Sequence, residues 1–147
     1  MAKGLRISLI VIGLVIFLSL SGFVIWGETP SSPMPEALAA LASDGQVTVT
    51  SGKWLVFSST ARTPATGLII YPGGHVDYRA YAPSAHQIAA QGYLVVIVPM
   101  PLSLAVLNAG GAADVISAYP EIQHWAVGGH SLGGSMAANF AKSHSSL

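Results

Sequence analysis

The sequence predicts an α/β fold in which a mostly parallel sheet is covered by helices on both faces. Short apolar runs end at glycine or proline and alternate with segments of helical composition. Continuous apolar strands are typical of parallel sheets, because such strands are buried on both sides. The three runs are 67–71, 93–98 and 125–128.

The composition limits the class of function. The chain has 147 residues, of which 52% are hydrophobic and 8% are charged, and its formal net charge is zero. Zero net charge argues against nucleic-acid binding, which needs a basic surface to neutralise phosphates. The absence of cysteine excludes a disulfide framework and a thiolate nucleophile. Neither metal-ligand spacing nor a phosphate-binding glycine motif is found, so we expect no metal and no cofactor.

Much of the apolar excess lies near the N-terminus, where residues 7–26 form 20 positions without a charge. A helix of that length spans about 30 Å, the hydrocarbon thickness of a bilayer. Lys3 and Arg6 precede the segment and Glu28 follows it. The positive-inside tendency therefore predicts a single-pass anchor in contact with membrane lipid, with residues 1–6 cytoplasmic and the rest extracytoplasmic.

Two alternatives remain for this segment. It resembles a cleaved signal peptide in having small residues at 19–21, and cleavage would give a secreted protein. The apolar run nevertheless continues to Trp26, beyond the usual length of a signal-peptide core. The second alternative is a buried helix of a soluble domain.

The remaining chain divides into a linker, 27–45, and a domain, 46–147. Three prolines in 28–35 predict an extended tether, and the Ala/Leu-rich stretch 36–43 predicts a short helix. Period-two alternation predicts an antiparallel hairpin of 46–50 and 53–58. Helices are predicted between and after the apolar runs, at 83–91, 112–119 and 133–142.

The third apolar run leads into Gly129-His130-Ser131-Leu132-Gly133, a G-x-S-x-G motif followed by an amphipathic helix. A serine on a sharp strand-to-helix turn has a strained backbone, and side chains two residues away would clash. This explains Gly129 and Gly133. The helix N-terminus then places free N–H groups beside the hydroxyl.

A glycine-rich loop, residues 71–75, follows the first apolar run. Its glycines let the backbone approach a substrate oxygen, so Gly74 or His75 can supply one N–H and Leu132 another. Each such donor lowers the barrier of an acyl transfer by about 2.7 to 4 kcal/mol. We call residues 71–75 the oxyanion loop, although a plain glycine turn would have the same composition.

Together these segments resemble the N-terminal part of an α/β-hydrolase of the small esterase or dienelactone-hydrolase-like kind. The resemblance rests on 68–74, 93–99 and 129–134, whose order follows strands three to five of that family, preceded here by one transmembrane helix. It implies that Ser131 attacks a small-molecule ester or related acyl carbonyl and forms an acyl-enzyme. The family's acid and histidine follow the serine in the chain.

Here, however, no acidic residue follows Ser131, and the one later histidine, His144, is predicted about 15 Å along the helix. We therefore expect a truncated and inactive half of a hydrolase. His130 is expected to point away from the turn, with an orienting role open to it. His75 could line the pocket or serve as an improvised base.

The remaining polar side chains are expected to be structural. His86, His124 and Asp114 are predicted in solvent, and Asp77 with Arg79 is predicted to cap the next helix and fix the loop. The alternative to a hydrolase is a non-catalytic anchored binding or assembly module. In either case the open edge of the strand at 125–128 favours self-association.

Overall fold

The computed structural model describes residues 3–144. The first two residues of the predicted cytoplasmic segment and the last three of the predicted domain lie outside this range. Helix α1, Lys3–Glu28, is long and apolar enough to cross a membrane, a property that a signal sequence shares. The hydrophobic stretch of α1 is not buried against other described residues, so the alternative of a buried helix in a soluble domain is wrong.

The linker after α1 is packed against the domain at two points. Ser31 forms an isolated parallel bridge with Val76, and Ala37 is buried on helix α2, Pro35–Ala39. Helix α2 ends four residues earlier than predicted. Beyond α2 the chain turns at Asp44, because the Asp44 carboxylate accepts the N–H groups of Gln46 and Val47. The first strand starts at this turn.

The sheet is mixed, with five strands in the order β1-β2-β4-β3-β5. The predicted hairpin forms its antiparallel side, because β1 pairs with β2 and β2 pairs with β4. The predicted parallel part consists of β4, β3 and β5. The strands are β1 Val47–Ser51, β2 Leu55–Ser59, β3 Thr66–Tyr71, β4 Leu94–Ile97 and β5 His124–Gly129.

Two helices connect these strands and a third follows β5, each within one residue of its predicted bounds: α3 Ala82–Ala90, α4 Gly111–Ala118 and α5 Leu132–Ser143. Gly92 follows α3 with a φ of +99°, a conformation that favours glycine at the end of a helix. Three short 3₁₀ segments were not predicted: Tyr78–Tyr81, Pro101–Ser103 and Ala105–Asn108. They lie in the loops at the carboxyl ends of β3 and β4.

Both faces of the sheet are covered, as the apolar strands predicted. On one face Val96 packs in a cluster with Val115 of α4 and Phe140 of α5. On the other face Val95 packs in a cluster with Ala85 of α3. Successive residues of β4 therefore point into different cores, which explains why this strand is apolar throughout.

Strand β5 is an edge of the sheet in the part of the chain that the structure describes, since β3 is its one partner there. Ala126, in the middle of β5, is exposed. The carboxyl ends of β3 and β5 meet at the same edge, where Tyr71 is in register with Gly129. This register brings the oxyanion loop beside the G-x-S-x-G motif.

Candidate active site

Ser131 stands on a sharp turn between β5 and α5. Its φ of 50° and ψ of −120° lie outside the regions that side-chain-bearing residues favour, and the residue is exposed. Helix α5 begins at the next residue, Leu132. The first bonds of the helix run from Gly134 N–H to the His130 carbonyl and from Ser135 N–H to the Ser131 carbonyl, at 3.2 and 3.1 Å.

The glycines on either side of Ser131 are required by close backbone contacts. A Cβ atom on Gly133 would lie 2.2 Å from the Tyr71 carbonyl oxygen, and one on Gly129 would lie 2.6 Å from the same oxygen. By contrast, a Cβ on Gly128 would have no neighbour within 4 Å. The clash predicted from the motif is thus present at both of its glycines, and the partner is the last residue of β3.

The oxyanion loop lies directly against the start of α5. A Cβ on Gly74 would lie 3.3 Å from Leu132 Cδ2, so the Gly74 backbone lies against the Leu132 side chain. Among the described residues, neither the Gly74 N–H nor the Leu132 N–H donates a hydrogen bond. The oxyanion loop and the start of α5 therefore each carry an amide that donates to no described residue, at the two positions named from the sequence.

His75 differs from its prediction. Its N–H donates to the Ser103 carbonyl at 2.8 Å, so this amide is not available to a substrate oxygen, and Gly74 is left as the loop's donor. The Nε2 atom lies 2.7 Å from the Trp26 carbonyl oxygen. Because a carbonyl can only accept, Nε2 carries the proton and donates it. This ring is held in a contact with α1 and makes no hydrogen bond to Ser131.

Tyr81 connects the oxyanion loop to the turn at Ser131, a role that the sequence did not reveal. Its hydroxyl oxygen accepts the Gly73 N–H at 2.9 Å and is hydrogen-bonded to His130 Nδ1 at 3.1 Å. His130 is thereby held by an oriented hydrogen bond. The one available signal was the position of Tyr81 in the turn that begins after Asp77.

Asp77 caps that turn, as predicted. Its carboxylate accepts the backbone N–H of Arg79 at 2.9 Å and the Arg79 Nε–H at 2.9 Å. The side-chain hydrogen bond from Arg79 lowers the pKa of the buried Asp77 carboxyl below its usual value. The ion pair fixes the start of the 3₁₀ segment that ends at Tyr81.

Tyr71, the last residue of β3, forms hydrogen bonds with two segments next to the site. Its buried hydroxyl donates to the Ala109 carbonyl at 3.0 Å and accepts the Ala112 N–H at 2.7 Å. Burial raises the pKa of this phenol. The Tyr71 carbonyl also accepts the His130 N–H at 3.2 Å. One residue at the end of β3 thus holds the loop before α4 and the turn before α5.

The other histidines lie away from Ser131, and no described residue forms a side-chain hydrogen bond with the Ser131 hydroxyl. His144 stacks on Phe140 with ring centroids 4.0 Å apart, near the end of α5 as predicted. His124 is exposed, as predicted. His86 was expected in solvent but is half-buried, because its ring packs edge-on against Phe57.

Two further observations concern acidic residues and cavities. Asp114 is exposed and pairs with Lys53 at 2.8 Å, and residues 3–144 contain no group of three side chains that could hold a metal ion. A cavity of about 560 Å³ lies at the other end of the strands, where β3 and β5 begin. Arg62 and Glu121 are among the residues that line it. That cavity is not part of the Ser131 site.

Comparison with one solved protein agrees with this architecture. A solved hormone-sensitive lipase from a metagenome library superposes with a TM-score of 0.53 at 13% identity, covering 88% of this chain and 51% of the lipase. A brefeldin A esterase, a bacterial homologue of human hormone-sensitive lipase, gives 0.47 at 16% identity, covering 90% of this chain and 44% of the esterase.

The chain therefore spans about half the length of these solved proteins. No curated protein sequence matches it. The family model described as "Alpha/beta hydrolase family" matches residues 67–147, a range that begins in β3 and includes the turn at Ser131. On this match, which covers more than half of the sequence, the chain belongs to the alpha/beta hydrolase family.

Proposed function

We propose that this chain is the nucleophile-bearing part of a membrane-anchored serine hydrolase that acts on carboxylic esters or related acyl bonds. One observation carries the proposal. The strained Ser131 stands beside two amides, Gly74 and Leu132, that donate to nothing else in the described part of the chain. Strained backbone at an exposed nucleophile with free donors beside it is the arrangement that acyl transfer requires.

The proposed reaction begins when Ser131 Oγ bonds to the carbonyl carbon of the substrate. The carbonyl π electrons move to the oxygen, where the Gly74 and Leu132 N–H groups stabilise the negative charge. A base takes the serine proton and returns it to the departing alcohol, which leaves an acyl-enzyme on Ser131. Water, activated by the same base, then releases the acid and restores the hydroxyl.

None of the five histidines is hydrogen-bonded to the Ser131 hydroxyl, so we propose none of them as the base. We therefore expect the 147-residue chain to hydrolyse p-nitrophenyl acetate at nearly the rate of buffer. A turnover well above buffer that disappears in Ser131→Ala would contradict the absence of a base.

The surroundings favour an apolar acyl group. The side chains of Leu132 and Leu104 are those nearest to Gly74, and Leu107 is exposed on the adjoining 3₁₀ segment. Arg79, the charged side chain that follows the loop, is paired with Asp77. A lipophilic ester would meet apolar contacts here without burying an unpaired charge.

The proposal is tested by finding where a fluorophosphonate reacts. The full chain in detergent micelles is treated with the probe, with and without added imidazole as an external base, and the modified residue is located by mass spectrometry. We expect slow modification at Ser131 that imidazole accelerates several-fold. Ser131→Ala should abolish it, and the matched control Ser135→Ala, one turn into α5, should leave it unchanged.

The alternative function is a non-catalytic module that associates through the free edge of β5. The observation in its favour is that β5 pairs with β3 alone in residues 3–144. In that case the probe would modify exposed serines without preference for Ser131. Analytical ultracentrifugation in micelles would then show a dimer, which a proline at Ala126 should disrupt, because proline removes an N–H from the edge.

The membrane topology has a separate test, because the natural chain contains no cysteine. We expect a cysteine at exposed Thr63 to react with a membrane-impermeant maleimide in intact cells. A cysteine at Gly4 should react only after the cells are permeabilised. Labelling of Gly4→Cys in intact cells would contradict the proposed orientation.

A further inference from the structure

The last turn of α1 is docked on the oxyanion loop. The ring of Trp26 lies flat on the imidazole of His75, with centroids 4.3 Å apart and an interplanar angle of 3°. The Trp26 carbonyl accepts the His75 Nε2–H at 2.7 Å. Gly27, one residue later, is buried against Leu102. An apolar membrane helix needs none of these contacts in order to span a bilayer.

The residues that α1 contacts have an unusual backbone. His75 and Leu102 have φ values of 55° and 51°, and Ser103 has 54°, although none of them is glycine. The His75 N–H bonds to the Ser103 carbonyl, so the strained residues are joined to one another. Such conformations persist only where surrounding contacts hold them, and α1 contacts both His75 and Leu102.

We propose that the last turn of α1 is a positioning element for the oxyanion loop, and that α1 is therefore retained in the folded protein. Trp26 fixes the ring of His75, and the adjacent peptide keeps the Gly74 N–H aimed toward the site beside Leu132. This inference rests on the proposed function in one respect, the role of the Gly74 N–H as a donor to the substrate oxygen. The docking of α1, however, is tested independently of catalysis.

The residues where α1 meets the domain agree with this assignment. A Cβ on Gly27 would lie 2.7 Å from Leu102 Cβ and 3.0 Å from the Leu102 carbonyl oxygen, so a larger residue would push α1 off the loop. The linker continues the contact, because Ser31 bridges Val76 directly after the loop. Removal of α1 as a signal peptide would leave the His75 ring without its stacking partner.

Hydrogen exchange measures the docking without any need for activity. The full chain in nanodiscs is exchanged into deuterium, and the peptide that carries the His75 amide is followed by mass spectrometry. We expect Trp26→Ala to accelerate exchange at this amide by about tenfold, the loss expected for one aromatic stack. Trp26→Phe should stay close to the natural chain, because a phenyl ring can still stack.

Leu20→Ala is the matched control, since Leu20 is exposed on α1 at a distance from the loop, and we expect no change in exchange. Intact mass of the membrane-bound protein should show that residues 3–26 are retained. Equal exchange in Trp26→Ala and the natural chain, or loss of α1 from the membrane-bound protein, would overturn the inference.

The fluorophosphonate reaction then connects the docking to the site. With imidazole present, Trp26→Ala should react at Ser131 about tenfold more slowly, as expected when a catalytic donor is misplaced, and Trp26→Phe should restore the rate. If the natural chain reacts and Trp26→Ala reacts equally fast, the positioning role is wrong. If the natural chain does not react at Ser131, the proposed function fails, and the exchange experiment still decides whether α1 holds the loop.

Discussion

The turn at Ser131 and the oxyanion loop form one candidate site, but they are held in different ways. The turn is fixed by backbone atoms that leave no space for a Cβ at Gly129 or Gly133. The loop is held by side chains outside it, chiefly the Tyr81 hydroxyl and the Trp26 ring. The first half of the site is thus determined by local sterics, and the second by tertiary contacts.

This difference predicts how substitutions in each half of the site affect folding. A substitution in the turn forces the ends of β3 and β5 apart, so it affects the whole sheet. A substitution around the loop removes one contact of several, so its effect on folding is smaller and more local. Four changes test this contrast, from the largest expected effect to the smallest.

Gly133→Ala should be the most damaging. The new Cβ would meet the Tyr71 and Pro72 carbonyl oxygens at 2.2 and 2.3 Å, and both belong to backbone that cannot move without breaking β3. We expect the free energy of unfolding to fall by about 3 kcal/mol or more, measured by urea titration of the full chain in micelles. Gly128→Ala is the control and should change it by less than about 0.5 kcal/mol, since its Cβ meets nothing.

Tyr81→Phe tests the loop. It leaves the buried Gly73 N–H without an acceptor and removes the bond to His130. We expect a loss of about 2 kcal/mol in the same titration, the cost of one buried unsatisfied donor. Tyr93→Phe, at an exposed tyrosine, should be neutral. If Tyr81→Phe lowered the free energy of unfolding as much as Gly133→Ala does, the turn at Ser131 and the oxyanion loop would not differ in the way proposed.

Ser131→Gly should stabilise the protein. Glycine accepts a φ of 50° with a ψ of −120° more readily than any residue with a side chain, so the strain at this position is relieved. We expect the free energy of unfolding of Ser131→Gly to be about 1 kcal/mol higher than that of Ser131→Ala. The alanine variant removes the hydroxyl but keeps the Cβ. Equal stabilities of the two variants would show that the turn carries no strain.

Asp77→Asn should have the smallest effect and a defined pH dependence. The pKa of Asp77 is lowered in the folded chain, so the ionised carboxylate contributes stability above its unfolded pKa of about 3.9. That contribution is lost as the pH falls through the lower, folded pKa. We expect a melting temperature slightly below that of the natural chain at pH 7, with a difference that shrinks below about pH 4.

Asp114→Asn is the matched control for this change, because Asp114 and Lys53 form an ion pair with both side chains mostly exposed. Such pairs contribute little, so the melting temperature should not move at either pH. A difference for Asp77→Asn that stays constant from pH 7 to pH 3 would contradict an electrostatic origin.

The sequence predicted those parts of the fold that depend on local pattern. The apolar runs located β3, β4 and β5, because continuous burial leaves a continuous apolar signal. The motif at Ser131 located the turn, because glycine is the one residue that fits where a Cβ would meet backbone. Asp77 was identified as a cap, since its partner Arg79 lies two residues away.

Contacts between distant segments left no such signal. Tyr81 and His130 are 49 positions apart in the chain, as are Trp26 and His75, and nothing in either segment indicates its partner. The expectation that the His75 N–H is available to a substrate oxygen failed for the same reason, because this N–H donates to the carbonyl of Ser103 in an unpredicted 3₁₀ segment. In this molecule the turn at Ser131 is visible in the sequence, whereas the hydrogen bonds that position the adjoining loop require the structure.

The position of β3 has a consequence for how the chain folds. β3 pairs with β4 on one side and with β5 on the other, and Thr66 meets His124 across a loop of about 60 residues. Long-range parallel pairing of this kind is slow, so β5 is expected to dock after the hairpin and β4 are in place. The Tyr71 carbonyl contacts Gly133 only after that docking. The strained serine is therefore formed late in folding, when most of the sheet is already present to stabilise it.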